Sequence, residues 1–256
     1  MVSKTSSQKS NFVIIALLAL ILVALIGIAG LKFRADSSQD SSSLVNLESK
    51  IEAFLMNNPK VVVSALEKHY RQEKQIQQEQ RQKNISSKQN ELHNNSPFIG
   101  NPNASTVLVE FFDYNCGYCK KALETIDQLT KNNQDVKIVF KDFPILGPAS
   151  LKLGQASVAA FLLDSDKYFA AHKALMALGR AANNDSIIAA LVKIGYNGPE
   201  LQKKMSSKEV NNILASNRNL ARELGINGTP AFILNDRFIE GFVDYQGLSQ
   251  MIKEVN

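Results

Sequence analysis

Cys116 and Cys119 are the only thiols in 256 residues, and two residues, Gly117 and Tyr118, separate them. A pair at this spacing can close a disulfide or present two thiolates, so the chemistry open to it is thiol–disulfide exchange, a structural bridge, or half of a soft-metal site. The neighbouring sequence weighs on the choice. Val107–Phe112, VLVEFF, is an apolar, β-branched and aromatic run that predicts a buried strand, with Asn103-Ala104-Ser105 before it and Asp113 after it. Ala122, Leu123, Ile126 and Leu129 then recur at helical spacing. The thiols therefore fall where a strand turns into a helix N-terminus. Unpaired N–H groups and the positive end of the helix dipole favour a thiolate there. Cys116, on the turn, is expected to be the exposed attacking thiolate, and Cys119, one helical turn further, the buried resolving thiol. Against a metal site stands the supply of ligands: no second cysteine pair, and only His69, His93 and His172 among the imidazoles. Two cysteines also exclude a four-thiolate zinc site and a disulfide-stapled small fold.

The elements that must position this pair follow from the rest of the chain. Val136–Lys141 predicts a second strand, ended by Asp142-Phe143-Pro144. Gly225-Ile226-Asn227-Gly228-Thr229-Pro230 leads into a strand at 231–234, a turn at Asn235-Asp236, a return strand over 237–243, and a last helix capped by Asp244 through Leu248, Met251 and Ile252. Between them lies an Ala- and Leu-rich stretch with helix starts at Asp166, Asn184 and Ser206, where Ser206 to Glu209 spells a capping box. Phe161, Phe169, Leu175 and Met176 are assigned to the core of this stretch.

Strand, Cys-x-x-Cys helix, strand, helices, and Thr-Pro before a hairpin together resemble the thioredoxin fold. More narrowly, FFDYNCGYCK at 111–120 resembles the DsbA-like branch of exported thiol:disulfide interchange proteins, over roughly 98–256. The resemblance implies an α/β thioredoxin-like fold with a helical subdomain inserted at about 146–224, preceded by a helical extension. It implies a thiol-disulfide oxidoreductase that forms, and on dimerising isomerises, disulfides in envelope or secreted proteins, with no cofactor. Pro230 resembles the cis-proline that faces the redox pair in this family, and Thr229 would offer its backbone to an extended substrate chain. Glu110, six residues before Cys116, stands where such proteins place a buried acid near the resolving thiol; burial should raise its pKa and let it take the proton from Cys119. A plain ion pair with Lys141 on the neighbouring strand is a second reading of Glu110, compatible with the first. Gly117-Tyr118 differs from the Pro-His pair of strongly oxidising members, and with Thr229 it resembles the isomerase branch; both residues are placed in the substrate site. The implied partners are unfolded or cysteine-containing exported proteins and a membrane redox protein that recycles the thiols. A thiol reductase and a non-enzymatic copper-binding module on the same two thiols are the alternatives.

Composition bounds the remainder. Lys plus Arg number 29 against 24 Asp plus Glu, but residues 1–35 hold Lys4, Lys9, Lys32 and Arg34 and no acid, which leaves 25 basic against 24 acidic groups elsewhere. A nucleic-acid footprint is thereby excluded as an expectation. Residues 12–31 carry no charge and are long enough to cross the roughly 30 Å hydrocarbon core as a helix, so 1–35 reads as a signal anchor, or as a signal peptide cleaved after Gly27-Ile28-Ala29. The chemistry then places the catalytic domain in the bacterial periplasm. Residues 36–97 form a linker region in which 36–43 is a flexible spacer. Leu44, Leu47, Ile51, Phe54 and Leu55 line one helix face, and Val62, Val63, Leu66 and Tyr70 line another after Asn58-Pro59, with Asn58 as N-cap. From 71 to 95 the chain is dominated by Gln, Asn and charge, a composition that predicts no burial. Either 44–95 is a solvated stalk, or the apolar faces of 44–70 pair with a second copy.

Overall fold

The computed structural model describes residues 20–28 and 46–255. Of the apolar run 12–31, residues 20–28 are helical, and the rest of it, with the spacer 36–43, lies outside the described residues. Among the described residues no helix is long and apolar enough to cross a membrane. The chain divides into two units, Met1–Glu73 and Lys74–Asn256.

In the first unit a helix over 46–57 precedes α1, Pro59–Ser87. Asn58 stands between the two helices: its side-chain amide donates to the carbonyl of Phe54 at 2.8 Å, its own carbonyl accepts from Val61 N–H at 2.9 Å, and α1 starts at the expected Pro59. Leu47, Ile51, Phe54, Val62, Val63 and Leu66 are all exposed in the single chain.

The second unit starts earlier than its sequence suggests. The polar stretch 71–95 is not a bare linker, since α1 continues to Ser87 and is followed by α2, Gln89–His93. Ile85 and Leu92 are fully buried against the sheet. The Arg81 guanidinium lies 4.1 Å from the Phe238 ring centroid, and Asn84 donates to the carbonyl of Glu223 at 2.9 Å. Two apolar side chains are sufficient to seat a polar helix when each fills a prepared hollow and polar neighbours bond around them.

The sheet comprises β1 (Phe98–Gly100), β2 (Thr106–Phe112), β3 (Val136–Asp142), β4 (Ala231–Leu234) and β5 (Arg237–Glu240), in the order β1-β3-β2-β4-β5. Only β2 and β3 run parallel, joined through α3, Gly117–Asn132; the other pairs are antiparallel. The central strands are covered on both sides, hence their nearly unbroken apolar reading. Leu108, Phe112, Ile138 and Phe140 enter one core with α3, and Val109, Phe111, Val139 and Ile233 enter the other with Ile85 and Leu92. β5 stops at Glu240, short of the expected 243, because Gly241 turns the chain at φ 79° and donates its N–H to the carbonyl of Pro230 at 3.1 Å.

Five helices separate β3 from β4: α4 (Pro148–Leu163), α5 (Tyr168–Leu178), α6 (Asn184–Val192), α7 (Gly198–Met205) and α8 (Lys208–Glu223). α6 starts at the expected Asn184, and the other two caps fall one or two residues from the expected starts. Asp164 accepts from the N–H groups of Asp166 and Lys167, Asn183 caps α6, and Ser207, not Ser206, accepts from Val210 at 3.2 Å. Ser206 instead ends α7, and Glu209 pairs with Lys204. Leu175 and Met176 are core residues, while Phe161 and Phe169 are partly buried against it. α9, Tyr245–Val255, closes the chain, with Asp244 accepting from Gly247 N–H at 2.9 Å.

Candidate active site

Cys116 is the N-cap of α3, its N–H donating to the carbonyl of Asp113 at 3.0 Å and its own carbonyl accepting from Lys120 N–H at 3.2 Å. It is 8% exposed, whereas Cys119 is fully buried; both are free thiols. The hydrogen bond from the Cys119 thiol brings Cys116 down to about 5; burial opposes it, and the Thr229 side chain with the N–H groups of Cys119 and Tyr118 adds to it. Burial drives Cys119 far above the ordinary thiol range, helped by its bond to Cys116 and the negative charge of Glu110. One thiol is thus ionised at neutral pH, and its partner holds the proton.

The Thr229–Pro230 bond is cis, and the carbonyl of Thr229 accepts from the Cys116 thiol at 3.2 Å. Gly117 faces open space, with no heavy atom within 4 Å of where a side chain would start. Tyr118 is exposed and stacks on Phe242 at a centroid distance of 6.1 Å. Cys116 is therefore buried and not exposed as its place on the turn suggests: its sulfur meets Thr229 on one side, and the neighbouring Gly117 and Tyr118 face solvent.

Glu110 is buried beneath the pair, and burial, then the charge of Cys116, raises it to about 8. Neither carboxyl oxygen has a hydrogen-bond partner among the described residues. The expected pairing with Lys141 does not form. Glu110 sits opposite Phe140 in the parallel register and Lys141 opposite Phe111, so the two side chains leave opposite faces of the sheet. Lys141 donates instead to the Glu91 carbonyl and the Ser96 hydroxyl, both at 2.6 Å. With no cation beside it, Glu110 is protonated at neutral pH.

Two groups carry no sequence signal strong enough to single them out. Asp113, which marks a strand end in the sequence, is buried and accepts three backbone N–H groups. Its bond from Asn115 N–H two residues on is an Asx turn, which the pattern Asp-x-Asn permits. Behind the site, Tyr114 donates to Ser157 at 2.8 Å and meets Nδ1 of His172 at 2.9 Å, and Ser157 donates to Asp142 at 3.2 Å. Burial lowers His172 to about 3 and raises Asp142 to about 8, so both are neutral at pH 7. These residues are 15 to 58 positions apart in sequence, and only the packing of α4 and α5 on β3 unites them.

The pattern of the DSBA-like thioredoxin domain matches residues 107–253. The chain belongs to this family. DsbA-like proteins are thiol-disulfide oxidoreductases, and the chain is one of them. It is 31% identical to the thiol-disulfide exchange protein alpha-DsbA2 from Wolbachia pipientis, over 69% of this chain and 96% of that one, with a TM-score of 0.65. Proteus mirabilis ScsC, in a transitional conformation, is 30% identical over 84% of this chain and 97% of its own, with a TM-score of 0.62. Disulfide bond formation protein D of Bacillus subtilis is 25% identical over 171 residues, 62% of this chain and 76% of that protein.

Proposed function

We propose that this DsbA-like protein is an exported oxidase that introduces disulfides into envelope or secreted proteins, and isomerises them when assembled through residues 44–70. The observation that carries the reading is the split between the thiols: Cys116 near the surface and lowered to about 5, Cys119 buried and raised. A stabilised Cys116 thiolate favours the reduced protein, and an oxidant is a protein whose reduced form is favoured.

In the oxidising direction a substrate thiolate attacks Cys116 of the Cys116–Cys119 disulfide. A mixed disulfide forms, and Cys119 leaves as a thiolate. Glu110, protonated at neutral pH, gives Cys119 its proton. A second substrate thiolate then attacks the substrate sulfur of the mixed disulfide and releases Cys116 as a thiolate. Two electrons have passed to the cysteine pair, and a membrane redox partner removes them. Thr229 and Pro230 line the substrate chain, with Gly117 and Tyr118 on its open side. Export to the periplasm, with residues 12–31 as the address, supplies the oxidising compartment.

Refolding of reduced and of scrambled ribonuclease, with insulin reduction alongside, tests the reading on the parent and Cys116→Ala. The parent is expected to oxidise reduced ribonuclease, and the variant to lose at least a hundredfold; equal behaviour of the two overturns the assignment. Exposed Val62 and Leu66 lie one helical turn apart on α1, and their joint replacement by Glu is expected to abolish association and isomerase activity while oxidase activity persists. An oligomeric state by sedimentation that the replacement leaves unchanged removes the assembly from the proposal.

A further inference from the structure

Lys141, on β3, leaves the sheet on the face opposite Glu110 and is 3% exposed. Its ammonium donates to the Glu91 carbonyl and the Ser96 hydroxyl, both neutral acceptors, and among the described residues it has no carboxylate within ion-pair distance. The carboxylate of Glu91, whose charge it feels, is paired with Lys88 at 2.8 Å. Burial lowers Lys141 to about 8 against the pull of Glu91, so the side chain still carries its charge at neutral pH. A buried cation held by neutral acceptors alone is a costly arrangement that an anion would complete. Two of the three ammonium N–H groups are accounted for, and one is left.

The space for such an anion is present. A hollow of about 490 Å³, lined by Lys141, opens between α2 and α8. That volume lies in the ordinary range of small-molecule sites. Asn90, Asn94 and Asn95 line it on one side, and Asn212, Ile213 and Ser216 on the other. Among the described residues none of the four amide side chains, nor the Ser216 hydroxyl, makes a hydrogen bond of its own. Each amide offers a donating end and an accepting end, and a hydroxyl does both, so together they suit alcohol groups. Ile213 adds an apolar surface for a carbon skeleton. One ammonium balances a singly charged carboxylate, whereas a doubly charged phosphate would stay half uncompensated.

We propose that this hollow is a second binding site, separate from the redox pair, for a small hydroxylated carboxylate of the sugar-acid class, with the carboxylate on Lys141 and the hydroxyls on the surrounding amides. It requires nothing of the thiols and stands independently of the proposed exchange activity.

Calorimetric titration of the full-length protein with D-glucuronate tests the site, with D-glucose and inorganic phosphate as comparison ligands. Saturable binding of glucuronate is expected, at least about tenfold tighter than that of either comparison ligand. Lys141→Met, which keeps an unbranched stem without the charge, is expected to weaken it about tenfold or more, and so is the double variant Asn94→Ala/Asn212→Ala. Asn94 and Asn212 are exposed, so the double variant decides the matter if Lys141→Met does not fold. Absence of saturable glucuronate binding, equal binding of glucose or of phosphate, or parental affinity in either folded variant overturns the proposal.

Discussion

The thiol of Cys116 donates to the main-chain carbonyl of Thr229 across 3.2 Å. That contact suits a thiol and opposes a thiolate, so the charge of ionised Cys116 rests on the other donors around it: Cys119, the Thr229 side chain and the first N–H groups of α3. Iodoacetamide labelling of the reduced protein against pH is expected to reach half its plateau near pH 5, with Cys119 unlabelled throughout. Thr229→Val moves that midpoint upward. A midpoint above pH 7 in the parent contradicts the donor set described.

The same thiol links folding to pH. Its folded value lies below its ordinary value of 9.0, so its contribution to the stability of the reduced form is complete above pH 9 and is lost as pH falls through about 5. Urea unfolding of reduced and oxidised protein is expected to show the reduced form the more stable at pH 7, with the gap closing by pH 4. A gap that widens on acidification excludes the thiolate as its cause.

Glu110 works in the opposite sense. Its folded value of about 8 exceeds 4.5, so its share of stability is fully present below pH 4.5 and is lost as pH rises through 8. Glu110→Gln removes this dependence and leaves a difference from the parent of about 3 kcal/mol between pH 4.5 and pH 7. With Glu110 in its proposed role as proton donor, the variant is expected to slow the step that frees Cys119 about a hundredfold in stopped-flow exchange. Parallel urea curves for the two proteins across this range count against a buried, protonated Glu110.

Ile85→Ala and Leu92→Ala are each expected to cost about 2–5 kcal/mol in urea unfolding of the catalytic unit, because both side chains are fully buried. Ile76→Ala, at an exposed position on the same helix, is the control, expected within about 0.5 kcal/mol. Equal effects at all three positions reject the described seating of α1 and α2.

The setting of the two thiols was legible because its signals are local: a strand, a turn and a helix within a few residues, and a Thr-Pro at the head of a hairpin. What was not legible depends on register and on distance. Both strands holding Glu110 and Lys141 can be read, but a shift of one residue in their pairing decides whether the side chains meet, and periodicity is silent on it. The role of Asp113 depends on partners at 145 and 146, and that of Ile85 on a hollow formed partly by residues 220–226. Ser206 and Ser207 are both plausible caps before Glu209; the turn that ends α7 selects the second.

The alternation that separates Glu110 from Lys141 has an evolutionary side. On one face of the sheet lies the buried acid beneath the thiols; on the other, a buried lysine holds the Glu91 carbonyl of α2 beside the hollow for Ile85 and Leu92. Electron transfer and attachment of the N-terminal extension are written on two sides of one layer. A lineage could therefore exchange or discard the extension by altering one side alone, with no substitution among the residues that set the chemistry of Cys116 and Cys119.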